Sequence, residues 1–214
     1  MYLTSLRLNP RSSQVQTEVA NAYEMHRTLM RAFPGSSAGG PGRVLFRFED
    51  DRYSRGLIVL VQSAKKPDWS FFQNDREYLD PLADNPCESK EFNPRFVARQ
   101  RLSFRLRGNP TVKRNGRRLG LRKEEEQVGW LDRKAGEGGF RVLACRITPK
   151  GLQKPAKILG KDWTQELTFL ATIYEGVLEV TDPERFGKTL ASGVGSGKGL
   201  GFGMVSIAPV RDEA

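Results

Sequence analysis

A glycine-rich stretch near the C-terminus limits what this chain can fold into. Six of the eleven residues in 193–203 are glycine. Each glycine loses extra backbone entropy on folding, so this density does not suit a helix or an ordinary strand. It suits a loop whose backbone approaches a large ligand closely, with N–H groups directed outward to bind an anion. Lys198, in the middle of the stretch, adds a mobile positive charge.

The two common phosphate-binding motifs do not fit these glycines. A P-loop needs Gly-x4-Gly-Lys-Ser/Thr, but Ser192 occupies the first position and Gly199 follows the lysine. A dinucleotide-binding loop needs Gly-x-Gly-x-x-Gly between a strand and a helix, and no frame through the stretch gives that spacing. A nucleotide hydrolase is therefore not expected.

The spacing that does fit is Gly-apolar-Gly, five residues, and Gly-apolar-Gly again. This pattern resembles the signature loop of the repeat-associated RNA-binding proteins of CRISPR systems. A flexible linker is the alternative, but Val194, Leu200 and Phe202 interrupt the glycines and a strand-like segment follows. The predicted RNA contacts in this loop are Gly195, Gly197, Lys198 and Gly199.

The composition indicates a partner of negative charge and a reducing compartment. The formal net charge is +10 over 214 residues, which points most simply to nucleic acid. Cys87 and Cys145 have no metal-ligand spacing and form no disulfide framework, so we expect a cytoplasmic location.

The longest aliphatic run, 57–61, is too short to span a bilayer, and no membrane partner is expected. The acids at 49–51 are typical of a solvated turn; a metal site is the alternative, and we expect no metal or other cofactor.

The single histidine, His26, lies on a predicted helix of the first half. The pattern predicts this helix over 22–33, with Asn21 as the N-cap. A lone histidine is more often structural, but Tyr23 lies one turn before it on the same face. Arginines follow it, and these are the groups that a ribonuclease needs to move protons and offset phosphate charge. The candidate catalytic residues are Tyr23 and His26, with Arg27 and Arg31 as candidate phosphate contacts.

Basic residues dominate the start of the second half. The range 95–123 holds eleven basic residues and no acid. Arg105 and Arg107 are predicted on the positive face of a strand whose other face is buried, and Asn115-Gly116 predicts a hairpin. A merely solvated face is the alternative, but an unbroken run of one sign favours an RNA-binding surface. A second basic segment, 148–162, adds Lys150, Lys154, Lys157 and Lys161.

The order of predicted elements indicates the fold. The second half reads strand, helix, strand, strand, helix, strand, and the first half begins in the same order. This is the ferredoxin-like order of RNA-recognition folds. A strand is expected over 140–147 and a strand pair over 168–180, bent at Glu175-Gly176. The expected fold class is α+β, with two tandem βαββαβ domains: 1–93, which carries the catalytic helix, and 94–214, which carries the basic hairpin and the glycine-rich loop.

Motifs along the whole chain resemble the CasE-type endoribonucleases of type I-E CRISPR systems. The resemblance implies that the family's catalytic tyrosine and histidine fall on Tyr23 and His26, and that its stem-gripping basic hairpin falls near 150–161. The motifs are Leu8-Asn9-Pro10, Tyr23-Glu-Met-His26-Arg-Thr-Leu29, Phe104-Arg-Leu-Arg107-Gly-Asn109-Pro110, Gly138-Gly-Phe-Arg141, Leu178-Glu-Val180-Thr-Asp182-Pro-Glu-Arg185, and the glycine-rich loop through Ala208-Pro209.

This resemblance implies a metal-independent endoribonuclease that cuts CRISPR precursor RNA at the base of each repeat stem-loop. The family stays bound to the product with the other subunits of Cascade. The residues permit such chemistry, because the RNA 2′-hydroxyl is the nucleophile and an imidazole can serve as acid or base. Either Tyr23 or His26 can take either role. The products are expected to be a 2′,3′-cyclic phosphate and a 5′-hydroxyl. The alternative is a non-catalytic RNA-binding subunit of a CRISPR ribonucleoprotein.

Overall fold

The chain forms two compact units in a computed structural model. The first unit comprises Met1–Asn93 with two later segments, Pro155–Leu167 and Gly199–Gly201, and the remaining residues form the second unit. These two segments had been expected in the second domain. The structure describes residues 1–33, 40–50, 56–75, 77–154, 156–158, 164–166 and 168–210.

The first part of the chain supplies most elements of the first unit. They are β1 (Tyr2–Leu8), α1 (Ser13–Ala20), α2 (Ala22–Met30), β2 (Val44–Asp50), β3 (Leu57–Ser63), a 3-10 helix (Ser70–Asn74) and β4 (Cys87–Glu91).

The remaining elements follow in chain order. They are β5 (Arg101–Gly108), β6 (Thr111–Arg114), β7 (Arg117–Gly120), α3 (Glu124–Glu137), β8 (Phe140–Gln153), β9 (Ala156–Ile158), β10 (Thr164–Glu166), β11 (Phe169–Val180), α4 (Pro183–Ser192), a 3-10 helix (Lys198–Leu200) and β12 (Val205–Pro209).

Each unit is built on a four-stranded antiparallel sheet with the same strand order. The first sheet runs β2-β3-β1-β4 and the second runs β12-β5-β11-β8. In both, the first strand of the unit lies between the third and the fourth, which is the ferredoxin-like arrangement. The predicted α+β fold class is confirmed. In the first unit a short 3-10 helix, Ser70–Asn74, stands where the second helix is expected.

The hairpin β6–β7 is the one that the sequence predicted. Its turn residues Asn115 and Gly116 have φ of 49° and 76°. Two positive φ values give the tight turn whose twist matches that of the flanking strands. The registers pair Thr111 with Gly120 and Arg114 with Arg117. The predicted turn is confirmed.

The prediction of a bent strand pair over 168–180 is wrong. β11 is one strand, paired with β5 on one side and β8 on the other. Gly176 does not turn the chain; a β-carbon there would lie 1.9 Å from the carbonyl oxygen of Ala144. Glycine is needed because two backbones approach closely. The neighbouring strand β8 also continues to Gln153, beyond the end predicted at residue 147.

Two helices differ from the sequence prediction in the first unit. α1 was not predicted, because only Val15 and Glu18 of its eight residues are buried and its apolar periodicity is weak. α2 ends at Met30 instead of residue 33, and Arg31 is its C-cap. Among the described ranges, no helix is both long and apolar enough to cross a bilayer.

A buried carboxylate joins α1, α2 and the loop before β4. Glu18 is 3% exposed and accepts hydrogen bonds from Tyr78 Oη at 2.5 Å, Thr28 Oγ1 at 2.7 Å and Gln14 Nε2 at 2.8 Å. Burial, and then the charge of Glu18, raises the pKa of Tyr78, so its hydroxyl stays protonated and donates. This network fixes one side of α2 through Thr28.

We expect Glu18→Ala to destabilise the protein by about 2–4 kcal/mol, because it leaves the buried hydroxyls of Tyr78 and Thr28 without their acceptor. Glu18→Gln keeps an amide oxygen as acceptor and is expected to lose less. Urea denaturation of both variants and the parent measures the difference. Equal stability of Glu18→Ala and the parent would show that the network does not hold α2.

Candidate functional site

The candidate catalytic residues lie on α2, whose first turn is fixed by its N-cap. The Asn21 side chain accepts a hydrogen bond from the Tyr23 backbone N–H at 3.2 Å, as the sequence predicted. Met25 and Leu29 are fully buried on the inner face of the helix. At about 100° per residue, Tyr23 and His26 share a face beside this buried one, and both are partly exposed. The two predicted residues therefore lie on one face of α2.

The His26 ring has two close neighbours within the first unit, Phe46 and Gly199. It stacks on Phe46 of β2, with ring centroids 6.5 Å apart and an interplanar angle of 20°. Gly199, which groups with the first unit, lies on the ring: a β-carbon built there would be 3.6 Å from Cε1 and 3.7 Å from Nε2. The backbone at Gly199 thus lies close to the imidazole. The approach to a large ligand that the glycine content predicts stays a prediction.

The two ring nitrogens of His26 have different surroundings. Nδ1 is enclosed and has no hydrogen-bond partner among the residues that the structure describes. Burial lowers the pKa of His26 below 6.5, so the ring is neutral at neutral pH. Nε2 is then the nitrogen that can exchange a proton with a substrate.

The two candidate phosphate contacts lie on a neighbouring face of α2. The Arg27 guanidinium pairs with Glu24 at 2.9 Å, and its side chain is 64% exposed. The Arg31 guanidinium stacks over the Phe71 ring at 4.4 Å. Both arginines line a cleft of about 550 Å³ with the polar residues of α1 and Glu24. By helical position they are about 100–140° around the axis from His26, so they are near the pair in sequence but directed elsewhere.

The glycine-rich loop owes its shape to buried apolar anchors. Val194 and Phe202 are 4% and 1% exposed. The Val194 N–H donates to the Gly203 carbonyl, and the Gly203 N–H donates to the Arg107 carbonyl, both at 2.8 Å. A β-carbon on Gly195 would lie 2.9 Å from Trp130. Positive φ values occur at Gly193, Gly195, Gly197, Gly201 and Gly203.

Gly203→Ala is expected to lower stability by about 2–4 kcal/mol. Its φ is 84°, and a β-carbon would lie 2.5 Å from the Val194 carbonyl oxygen, so strain and a backbone clash add together. Gly151→Ala is the matched control, because Gly151 has φ of 78° but nothing within 4 Å of the added carbon. It is expected to cost about 1 kcal/mol. Calorimetry measures both; equal losses would contradict the packing described for the loop.

A basic cleft in the second unit combines cations that the sequence predicted, those of the hairpin and Lys198, with two cations of α3 that it did not predict. It has a volume of about 500 Å³ and lies among the β6–β7 hairpin, the end of α3 and the glycine-rich loop. Arg133 and Lys134 had been given no role, because α3 was interpreted from its acidic first turn alone. The sequence did offer one signal for them: both cations lie in the last turns of a predicted helix that closely follows the basic hairpin. The cations of this cleft are Lys113, Arg118, Arg133, Lys134 and Lys198, and Glu137 is its acid.

The predicted positive face of β5 is different in the structure. Arg105 pairs with Glu175 of β11 at 3.4 Å, so an acid distant in sequence offsets its charge. Arg107 is 7% exposed; its guanidinium lies 4.6 Å over the Phe202 ring and donates to Gln153. Arg107 therefore supports the glycine-rich loop from within instead of presenting its charge to solvent.

The other predicted basic contacts lie at the end of β8 and beyond it. Lys150 and Lys154 are exposed. Lys157 lies in β9, and Lys161 lies outside the described residues. Within the described ranges, no group of three or more potential ligand residues is placed to hold a metal ion.

Comparison with known proteins gives consistent matches over the whole chain. The family described as CRISPR associated protein matches residues 1–209. The CRISPR-associated endoribonuclease Cse3 of Thermus thermophilus is 40% identical over 218 residues, covering 98% of this chain and 100% of that protein. The CRISPR system Cascade subunit CasE of Escherichia coli K12 is 27% identical over 201 residues, covering 88% and 92%.

Solved structures give the same result. The structure of CRISPR endoribonuclease Cse3 bound to 19 nt RNA matches with a TM-score of 0.82 and 38% identity, covering 98% of this chain and 100% of that one. Thermus thermophilus Cse3 bound to an RNA representing a pre-cleavage complex matches with a TM-score of 0.81 and 39% identity, covering 97% and 98%.

Proposed function

The chain belongs to the CRISPR-associated protein family, and on this premise we propose that it is an endoribonuclease that processes CRISPR precursor RNA. It cleaves each repeat at the base of its stem-loop and remains bound to the product within Cascade. Two relatives are named as a CRISPR-associated endoribonuclease and a Cascade subunit. Its two free thiols, Cys87 and Cys145, suit the reducing cytoplasm.

The observation that carries the catalytic assignment is the setting of His26. Its ring is partly exposed on one face with Tyr23, is fixed by Phe46, and is approached by the backbone at Gly199. A structural histidine buried in a core has its ring nitrogens satisfied within the fold. Here Nδ1 is enclosed and has no hydrogen-bond partner among the described residues, which supports assigning the reaction to Nε2.

The reaction needs no group beyond those of the protein and the RNA. We assign His26 Nε2 to take the proton of the 2′-hydroxyl, whose oxygen then attacks the adjacent phosphorus. The bond to the 5′-oxygen breaks, and we assign Tyr23 to supply the proton that this leaving oxygen takes up. If Tyr23 only orients the 2′-hydroxyl, the protonated His26 gives its proton to the leaving oxygen. The products are a 2′,3′-cyclic phosphate and a 5′-hydroxyl. Positioned proton transfer contributes roughly 10²–10⁴ in rate.

Arg27, which projects from a different face of α2 than His26, is a candidate to bind a phosphate next to the scissile one. Its pair with Glu24 is exposed on the arginine side, and an exposed pair of this kind contributes about 0–1 kcal/mol. A charge-assisted bond to a phosphate is stronger, so RNA binding can draw the guanidinium away from Glu24. Arg31 is held by Phe71 and is the candidate for a flanking phosphate.

The basic cleft of the second unit is the candidate surface for the repeat stem. Its five cations face one acid, and phosphate neutralisation supplies most sequence-independent affinity for nucleic acid. The hairpin β6–β7 and the glycine-rich loop form two of its walls. We propose this cleft in addition to the stem-gripping basic hairpin near 150–161 that the family resemblance implies, which stays a prediction.

We expect His26→Ala to lower the single-turnover cleavage rate by about 10²–10⁴ while leaving the affinity for repeat hairpin RNA unchanged. The parent is expected to cleave in EDTA, since the assigned proton transfers use side chains alone. Gel analysis of product ends and filter binding measure the two quantities. Undiminished cleavage by His26→Ala would exclude the mechanism. Tight hairpin binding without cleavage by the parent would favour the non-catalytic RNA-binding subunit.

The pH dependence of kcat/KM assigns the role of His26. Because burial lowers its pKa below 6.5, the neutral base is present above that pKa and is lost as the pH falls through it. We expect a rate at subsaturating RNA that is constant near neutrality and falls on the acid side, with a midpoint below pH 6.5. The acid limb should disappear in His26→Ala. A rate that instead falls as the pH rises through this midpoint would assign His26 as the acid.

A further inference from the structure

The outer face of the second sheet carries two rows of arginines that the proposed reaction does not use. Leu102, Phe104 and Leu106 of β5 are buried on the helix side of this sheet, so the alternate residues of β5 and their partners face the other way. The basic cleft lies on the helix side, between α3, α4 and the hairpin. A rigid RNA stem in that cleft does not reach the outer face of the same sheet.

Each row consists of one glutamate between two arginines on neighbouring strands. Glu179 pairs with Arg141 at 2.9 Å and with Arg101 at 3.9 Å. Glu175 pairs with Arg146 at 3.0 Å and Arg105 at 3.4 Å. The glutamates are 10% and 26% exposed, whereas Arg101, Arg141 and Arg146 are 69%, 62% and 73% exposed. Each row therefore carries an excess of one positive charge, and most of its guanidinium groups are exposed.

Between the two rows lies a row of small side chains. Ser103, Val177 and Ala144 pair across the three strands at this level. The charged rows are four residues apart on β11, or about 13 Å. This distance is close to the diameter of an α-helix with its side chains, about 10–12 Å. The outer face is thus a shallow trough with a small-residue floor and cationic sides.

The residues beside the trough distinguish a protein occupant from single-stranded RNA. RNA-recognition sheets stack bases on aromatic side chains, and the three rows contain none. Val97 and Leu143 are instead exposed near one end, at 66% and 41%. Arginine is among the residues enriched in protein interfaces. A cleft of about 550 Å³ with Arg99 and Arg141 continues this end of the trough.

We propose that this trough docks an acidic helical segment of another Cascade subunit. The carboxylates of that helix pair with the arginines of the two rows, and its apolar side chains contact Val97 and Leu143. The inference rests on the proposed membership of Cascade and adds the surface by which the chain joins the complex. The basic cleft, on the other face of the same sheet, is left free for RNA.

The test is the assembly of two variants with the remaining Cascade subunits of the same source and a mature guide RNA. Arg141→Gln/Arg146→Gln removes two charges, and Ala144→Glu blocks the floor with a negative side chain. We expect each to weaken incorporation by at least about tenfold, measured by size-exclusion chromatography and surface plasmon resonance. The control Arg185→Gln/Lys188→Gln makes the same charge change on α4, where both side chains are exposed, and should assemble normally.

Hairpin cleavage and hairpin affinity separate this proposal from the proposed function. Both trough variants should cleave repeat RNA at the parent rate and melt at the parent temperature. Parent-like assembly by both variants would overturn the docking surface while leaving the nuclease intact. A matching loss of affinity for RNA extended beyond the hairpin would also overturn it, because it would assign the trough to RNA. If the parent protein cleaves no RNA, the proposed nuclease function is wrong, whereas the assembly measurements still test the docking surface.

Discussion

The packing of α2 against the first sheet is the interaction on which the candidate active site depends. Met25 and Leu29 bury the inner face of the helix, and the His26 ring rests on Phe46. On the opposite side, Glu18 holds Thr28 from α1. The helix is thereby fixed from two directions, so the orientation of the imidazole is set by core packing and by a buried polar network instead of by contacts of the ring alone.

The residues of the site could be predicted from the sequence where contacts between residues close together in the chain determine the local structure. Asn21 caps α2 because its short side chain reaches the N–H of Tyr23, and residues three apart on a helix share a face. The glycine-rich loop was predictable for the same reason, since positive φ values and close packing require glycine. The strand order followed from the succession of elements and is confirmed in both units.

What the sequence could not provide was the charge and packing contributed by distant strands. Arg105 is neutralised by Glu175, seventy positions later, because β5 and β11 pair in a register that no local pattern reveals. Arg107 is buried for the related reason that Phe202 folds over it. The helix α1 was missed because it buries a glutamate instead of an apolar stripe. The positive charge of the second unit is consequently divided between two faces of its sheet.

The contact between Gly176 and Ala144 has a consequence for how this protein can vary. A single methyl group at position 176 would collide with a carbonyl oxygen of the neighbouring backbone, so β11 and the edge strand β8 have no room to approach each other more closely at this point. Substitutions that change the surface are therefore better tolerated in the exposed side chains of the neighbouring rows or in the part of β8 beyond Ile147. The close contact thus fixes the spacing of the two strands from which the side chains of both faces project.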